Sequence, residues 1–174
     1  LRLVSYWSEI EKEQGNYDFS DLDWQFQQAE QNGVQISLSL GLRQPRWPEC
    51  HMPEWAKSLP KEQWYTKLNT QIIAVVERYK NSPALESYQL ENEFFLQDFG
   101  QCSDFSRDRL ISEFKTVKQL DSNTPIILTR SNNYGGFAIQ EPRADIYGIS
   151  IYRKVHNQNL GYITYPFPAW YYAF

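Results

Sequence analysis

Strict alternation of apolar and polar residues predicts a strand over residues 34–41, VQISLSLG. One face carries Val34, Ile36, Leu38 and Leu40, and the other carries Gln35, Ser37, Ser39 and Gly41. Shorter apolar runs with a similar period predict four more strands, over residues 1–7, 85–93, 125–131 and 145–152.

Apolar residues recur at helical spacing between these strands and predict helices over 20–31, 61–80 and 107–120. The inward stripe of the first helix is Leu22, Phe26 and Ala29, and that of the third is Leu110, Phe114 and Val117. Strands that alternate with helices in this way form parallel sheets joined by right-handed crossovers.

The second face of each strand favours a closed barrel over an open sheet. Strands of an open parallel sheet are apolar on both faces, because helices cover both. Here the second faces are polar or small, and they comprise Gln35, Ser37, Ser39, Gln89, Glu91, Glu93, Gly148, Ser150 and Tyr152. The sequence therefore predicts part of a (β/α)₈ TIM barrel, an α/β fold with ligand groups at the C-terminal strand ends.

Composition limits the possible partners. The 174 residues are 41% hydrophobic and 22% charged, which suits one compact domain, and the net charge of −4 includes no Lys/Arg cluster. This pattern argues against nucleic acid or a membrane surface as partner. No apolar run is long enough for a membrane span, and the first residues lack the pattern of a signal peptide.

Aromatic residues make up 16% of the chain, and several fall in proline-rich or polar loops. Rings presented from loops suggest stacking on the flat face of a sugar, although they also serve to clamp loops onto a core. The candidate substrate-binding rings are Trp7, Trp47, Trp55, Phe94, Tyr134 and Trp170.

Two acids stand at the end of the predicted strand 85–93. A period of two places Glu91 and Glu93 with Gln89 on the inner face, and Glu93 lies nearest the C-terminal end. A buried carboxylate is costly unless it is paired or used. Glu91, which lies deeper, is interpreted as a structural acid paired with an inward arginine, whereas Glu93 is the candidate proton donor.

Several segments resemble clan A retaining glycoside hydrolases, which include cellulase-like and β-galactosidase-like (β/α)₈ barrels. The LENEFF segment (90–95) is similar to the acid/base motif at the end of their fourth strand. LRLVSYWSEIEKEQGNYDFSDLD (1–23) resembles the segment that starts at their second strand. DIYGISIYRKV (145–155) looks like their sixth strand, which ends in a tyrosine.

The resemblance implies a role for four residues. Glu93 matches the acid/base, and Asn92 matches the residue that hydrogen-bonds the sugar 2-hydroxyl. Arg2 matches the arginine that braces the nucleophile, and Tyr152 matches the aromatic residue beside it. The implied partner is an oligo- or polysaccharide, and neither a cofactor nor a metal is expected.

The resemblance covers barrel strands two to six, whereas the nucleophile of a retaining hydrolase follows strand seven. A complete barrel takes about 250 residues. Residues 1–174 are thus expected to form a single incomplete catalytic domain that is itself inactive. The alternative is a non-catalytic remnant that keeps a sugar-binding groove without turnover.

Two cysteines are predicted to lie on one rim of the barrel. Cys50 and Cys102 each follow a predicted strand end by eight or nine residues, in the loops after neighbouring strands. A disulfide between them would indicate an extracytoplasmic location. A zinc site formed by these cysteines with His51 and His156 is the competing interpretation, although adjacent Cys and His residues are poorly spaced for it.

Overall fold

The computed structural model describes residues 1–97, 99–102, 104–131, 141–157, 159–168 and 170. Five parallel strands form one sheet in chain order: β1 (Arg2–Val4), β2 (Ile36–Leu40), β3 (Leu85–Leu90), β4 (Ile126–Ser131) and β5 (Ile146–Ser150). Parallel strands that neighbour one another in chain order, with helices between them, form part of a TIM barrel. The predicted fold class is therefore confirmed.

Five helices connect or flank these strands: α1 (Trp7–Ile10), α2 (Ser20–Gln31), α3 (Glu54–Lys57), α4 (Lys61–Tyr79) and α5 (Arg107–Leu120). The three long helices confirm the predictions from helical spacing. An antiparallel hairpin of β6 (Lys154–Asn157) and β7 (Gly161–Thr164) follows β5 and was not predicted. Within the ranges given above, no helix has the length and apolar character to cross a membrane.

The hydrophobic core lies between the outer face of the sheet and the helices. Ile36, Leu38 and Leu40 of β2 are fully buried there. The α2 stripe of Leu22, Phe26 and Ala29 packs into the same core, as do the α4 residues Trp64, Leu68, Ile72, Val75, Val76 and Tyr79. Burial of this apolar area supplies most of the favourable free energy of folding.

The inner face of the sheet is polar, as the strand pattern predicts. Ser39 of β2 lies beside Gln89 of β3, and Thr129 of β4 lies beside Gly148 of β5. A Cβ atom added to Gly148 would approach the Thr129 side chain to 3.0 Å, so a small residue is required in this row. The polar inner face leads to the C-terminal strand ends, where the candidate site lies.

β1 and β3 each end three residues earlier than the sequence pattern predicts, whereas β2 and β5 end one and two residues earlier. β1 ends at Val4, and Trp7 begins the short helix α1 instead of continuing the strand. β3 ends at Leu90, so Glu91 and Glu93 lie outside the strand. The second difference changes the geometry of the candidate site.

Candidate active site

A tight turn immediately after β3 separates the two acids predicted to share the inner face. Glu91 and Glu93 have φ angles of 56° and 45°, in the left-handed region that residues with a side chain seldom adopt. The period of two therefore stops at Leu90, and the placement of Glu91 on the inner face is wrong. Residues held in such conformations concentrate at functional sites.

Glu91 is fully buried, and its carboxylate contacts a residue of α5. Its carboxylate accepts hydrogen bonds from the backbone N–H groups of Leu42 and Arg43, at 2.8 and 2.6 Å. It also pairs with Arg109 Nη1 at 2.5 Å. The interpretation of Glu91 as a paired acid agrees with these contacts, but its partner comes from α5 and not from an inward-facing arginine.

Arg109 joins Glu91 to two further acids in a buried cluster. Its guanidinium contacts Asp104 at 2.8 Å and Glu113 at 2.5 Å, and Lys61 contacts Asp104 at 2.7 Å. Burial alone would raise the pKa of Asp104, but hydrogen bonds from Lys61, Tyr65 and Arg109 lower it to about 2. Burial raises the pKa of Glu113 well above its usual range, against the attraction of Arg109. The cluster thus brings the cations of Arg109 and Lys61 against the carboxyl groups of Glu91, Asp104 and Glu113.

The raised pKa of Glu113 predicts a pH-dependent effect of Glu113→Gln. The folded protein keeps the Glu113 proton at pH values where the unfolded chain has lost it, so this residue's contribution to stability falls as pH rises. Glutamine resembles the protonated acid and has no such dependence. We expect the stability of the variant relative to wild type, measured by urea unfolding, to rise as the pH increases above 4.5, the usual pKa of a glutamate. Parallel stability curves would contradict a raised pKa.

Asn92 belongs to a chain of hydrogen bonds that runs from the first residue of β1 to the loop after β2. Arg2 Nη1 donates to Gln89 Oε1 at 3.0 Å, and Gln89 Nε2 donates to Asn92 Oδ1 at 3.3 Å. Asn92 Nδ2 donates to Glu49 Oε2 at 3.1 Å. The structure thus links Arg2 and Asn92, two of the predicted site residues, through Gln89.

Glu93 faces a cleft of about 640 Å³ between the strand ends and the β6–β7 hairpin. Its backbone N–H donates to Thr129 Oγ1 at 2.9 Å, which holds the residue above the inner face of β4. The side chain is buried, and among the described residues its Oε1 atom has no hydrogen-bond partner. Tyr152 lines the same cleft. Glu93 and Tyr152 thus both contribute to the lining of this cleft.

Glu49 and Arg43 were not predicted as site residues, yet both are buried beside Asn92. Arg43 Nε lies 3.7 Å from Glu49 Oε2. Burial raises the pKa of Glu49, and the hydrogen bond from Asn92 and the charge of Arg43 partly offset this effect. The one signal in the sequence was an acid directly before a cysteine in a proline-rich loop.

A disulfide between Cys50 and Cys102 joins the loops after β2 and β3, with a Cα–Cα distance of 5.3 Å. The same loops are connected by hydrogen bonds from Gln101 N to Pro48 O and from Arg43 Nη2 to Phe99 O, both at 2.9 Å. Because both cysteines are consumed in this bond, the zinc interpretation is excluded.

Removal of the disulfide by the paired change Cys50→Ser and Cys102→Ser is expected to destabilise the protein. The cysteines are 52 residues apart, so the bond restricts a long loop of the unfolded chain. Such disulfides contribute about 2 to 4 kcal/mol in the chain-entropy model. Urea unfolding of the oxidised protein and of the double variant measures the difference. Equal midpoints would contradict a structural role for the bond.

The six candidate aromatic rings have different environments. Trp7 and Phe94 are buried in the core, so the prediction that they stack on a sugar is wrong. Trp55 is half-buried against Trp7 and donates to the backbone oxygen of Glu11. Trp47 and Trp170 are exposed, and Tyr134 lies outside the described residues.

Trp47 is an exposed candidate ring with a neighbour at the cleft. Its ring centroid lies 6.2 Å from that of Phe99, and Phe99 lines the cleft that contains Glu93. Phe99 was not predicted, because it falls in a polar loop without a recognisable pattern.

Comparison with known proteins agrees with this geometry. The family model of glycoside hydrolase family 42, described as beta-galactosidase, matches residues 3–125, which is more than half of the chain. The chain belongs to glycoside hydrolase family 42. The matched region includes the turn with Asn92 and Glu93 and the loop with Glu49.

The curated relatives that the chain matches are much longer than the chain. A beta-galactosidase, bgaB, from Geobacillus kaustophilus is 28% identical over 141 residues, which is 66% of this chain and 20% of the relative. The chain therefore spans about a fifth of the length of the curated relatives it matches.

Solved structures with low sequence identity share the fold. A variant of xylanase 10C from Cellvibrio japonicus, in complex with xylopentaose, has a TM-score of 0.62 and 18% identity over 75% of this chain and 29% of its own. A beta-galactosidase from Rahnella sp. R3 has a TM-score of 0.53 and 15% identity over 76% of this chain and 31% of its own. Both likenesses support the TIM-barrel fold alone.

Proposed function

We propose that the complete protein carrying this chain is a retaining β-glycosidase that acts on β-galactosides, with Glu93 as its acid/base. The observation that carries this proposal is the Glu93 carboxyl group, which faces the cleft beside Tyr152 with one oxygen unpaired among the described residues. Membership of a family described as beta-galactosidase supports the substrate class.

In this mechanism Glu93 protonates the leaving oxygen and then activates the water that releases the sugar. Asn92 donates a hydrogen bond to the sugar 2-hydroxyl. Its amide is positioned by the hydrogen bonds that run from Arg2 through Gln89. Arg2 keeps the nucleophile ionised, and Tyr152 lies beside it.

The nucleophile is a second carboxylate about 5 to 5.5 Å from Glu93, as retention requires. We propose that it lies outside residues 1–174, since the curated relatives are about five times as long as the matched portion. Residues 1–174 alone are accordingly proposed to lack turnover.

The stereochemistry of the first product tests the proposal. The complete protein is expected to release β-galactose first from nitrophenyl β-galactoside, as followed by proton NMR, whereas residues 1–174 release none. Release of the α-anomer would contradict retention. Sugar binding without turnover by the complete protein would instead favour a non-catalytic remnant. Turnover by residues 1–174 would contradict the position of the nucleophile.

We also propose an extracytoplasmic location, supported by the Cys50–Cys102 disulfide, since such bonds persist in oxidising compartments. The redox state of the two cysteines in protein trapped directly from cells tests it. Free thiols in the native host would contradict this location.

A further inference from the structure

We propose that Glu49 is a positioning residue that orients the Asn92 amide for the sugar 2-hydroxyl. This inference rests on the proposed function, in which Asn92 contacts that hydroxyl. Glu49 comes from the loop after β2, whereas Asn92 follows β3, so the device is formed by two separate loops.

The hydrogen bonds of Asn92 fix which way its amide points. A carboxylate only accepts hydrogen bonds, so Glu49 Oε2 requires the Nδ2 atom of Asn92 to face it. Gln89 Nε2 donates to the Oδ1 atom on the other side of the amide. Among the hydrogen bonds of the described residues, Asn92 Nδ2 makes one, and an amide nitrogen has two hydrogens. The second hydrogen is thus available to a ligand oxygen.

Glu49 is itself held in place from several sides. Its φ angle of 74° lies in the left-handed region, which the surrounding loop must stabilise. Arg43 Nε lies 3.7 Å from its carboxylate. A Cβ atom added to Gly100 would lie 2.7 Å from Glu49 Cβ, so the loop after β3 packs directly on the residue. The disulfide of the next residue, Cys50, joins the same two loops.

This arrangement acts on the transition state more than on the bound substrate. Hydrogen bonds to the sugar 2-hydroxyl strengthen as the oxocarbenium ion develops. An ionised acceptor on one Asn92 hydrogen fixes the amide orientation before substrate arrives, so no reorganisation is needed during the reaction. Glu49 does not contact the reacting atoms and acts only through Asn92.

A comparison of two substrates in the complete protein tests the inference. Glu49→Ala is expected to lower kcat/KM about 10-fold for nitrophenyl β-galactoside, because a hydrogen bond to a charged group is lost. The loss is expected to be less than about twofold for the 2-deoxy substrate, which lacks the hydroxyl that Asn92 contacts. A purely structural role would lower both values equally.

Two further variants keep the test decisive. Glu49→Gln retains an oxygen that accepts a hydrogen bond from Asn92, so its kcat/KM for nitrophenyl β-galactoside is expected to lie between those of Glu49→Ala and wild type. If Glu49→Ala does not fold, Glu49→Gln is measured in its place. Glu54→Ala removes an exposed loop acid and serves as the matched control, with unchanged kcat/KM.

The outcomes separate this inference from the proposed function. If Asn92→Ala has full activity on the β-galactoside, the proposed role of Asn92 fails. If Asn92→Ala is impaired but Glu49→Ala or Glu49→Gln loses activity equally on both substrates, only the inference about Glu49 fails. Loss by Glu49→Ala confined to the substrate with the 2-hydroxyl supports it.

Discussion

Replacement of Glu93 by glutamine in the complete protein is expected to lower kcat/KM about 100- to 10,000-fold for a β-galactoside with a poor leaving group, such as lactose. The amide fits the same space but has no acidic proton for the leaving oxygen. Glu93 is held by a backbone hydrogen bond to Thr129 Oγ1, which the substitution retains, so the fold is expected to stay intact.

Leaving-group dependence is the control for the Glu93→Gln measurement. A dinitrophenolate departs without protonation, so formation of the glycosyl-enzyme from a dinitrophenyl β-galactoside is expected to slow far less. Pre-steady-state release of the phenolate measures this step separately from hydrolysis of the intermediate. Turnover of lactose by Glu93→Gln at close to the wild-type rate would refute the acid/base role.

Glu91→Gln is expected to destabilise the fold by about 3 to 5 kcal/mol, as the loss of one partner of a buried ion pair does. The amide removes the negative charge that pairs with Arg109 Nη1 and turns an N–H group toward the backbone donors of Leu42 or Arg43. Glu91→Gln is thus expected to lower stability, whereas Glu93→Gln is expected to lower activity, although the two acids are separated by only one residue.

Urea unfolding at pH 7 measures the cost of Glu91→Gln. Glu86→Gln, an exposed acid on the same strand, is the matched control and is expected to change stability by less than about 0.5 kcal/mol. In the Glu91 variant, Glu113 can ionise and pair with Arg109. Adding Glu113→Gln is therefore expected to increase the loss beyond the sum of the single changes. A Glu91 variant as stable as its control would contradict the ion-pair role.

Periodicity predicted the layers of this fold well, because burial imposes it. The alternation of VQISLSLG follows from one face meeting the helices and the other meeting the barrel interior. The stripe on α4 follows from its packing on that same sheet. Both patterns repeat along the element that carries them and follow directly from burial, so a single sequence is enough to recognise them.

The details of the site could not be predicted because they depend on single backbone conformations and on distant partners. The left-handed φ angle of Glu91 ends the alternation of inward and outward side chains along β3. No neighbouring glycine in the sequence indicates this conformation. The partner of Glu91 is 18 residues away on a helix. Trp7 was predicted to end a strand and to bind substrate, whereas it lies in the short helix α1 and is buried in the core. Glu49 meets Asn92 only through folding of two loops.

Gly41 adds a constraint that extends to the sequences of relatives. Its φ angle is 101°, and a Cβ atom there would lie 2.5 Å from Glu91 Oε1. A side chain at position 41 is therefore compatible only with a shorter side chain at position 91, and the loss of that carboxylate removes one of the three acidic partners of Arg109. Positions 41, 91 and 109 are expected to co-vary as a unit among related chains, whereas position 93 is expected to remain glutamate wherever the acid/base function is kept.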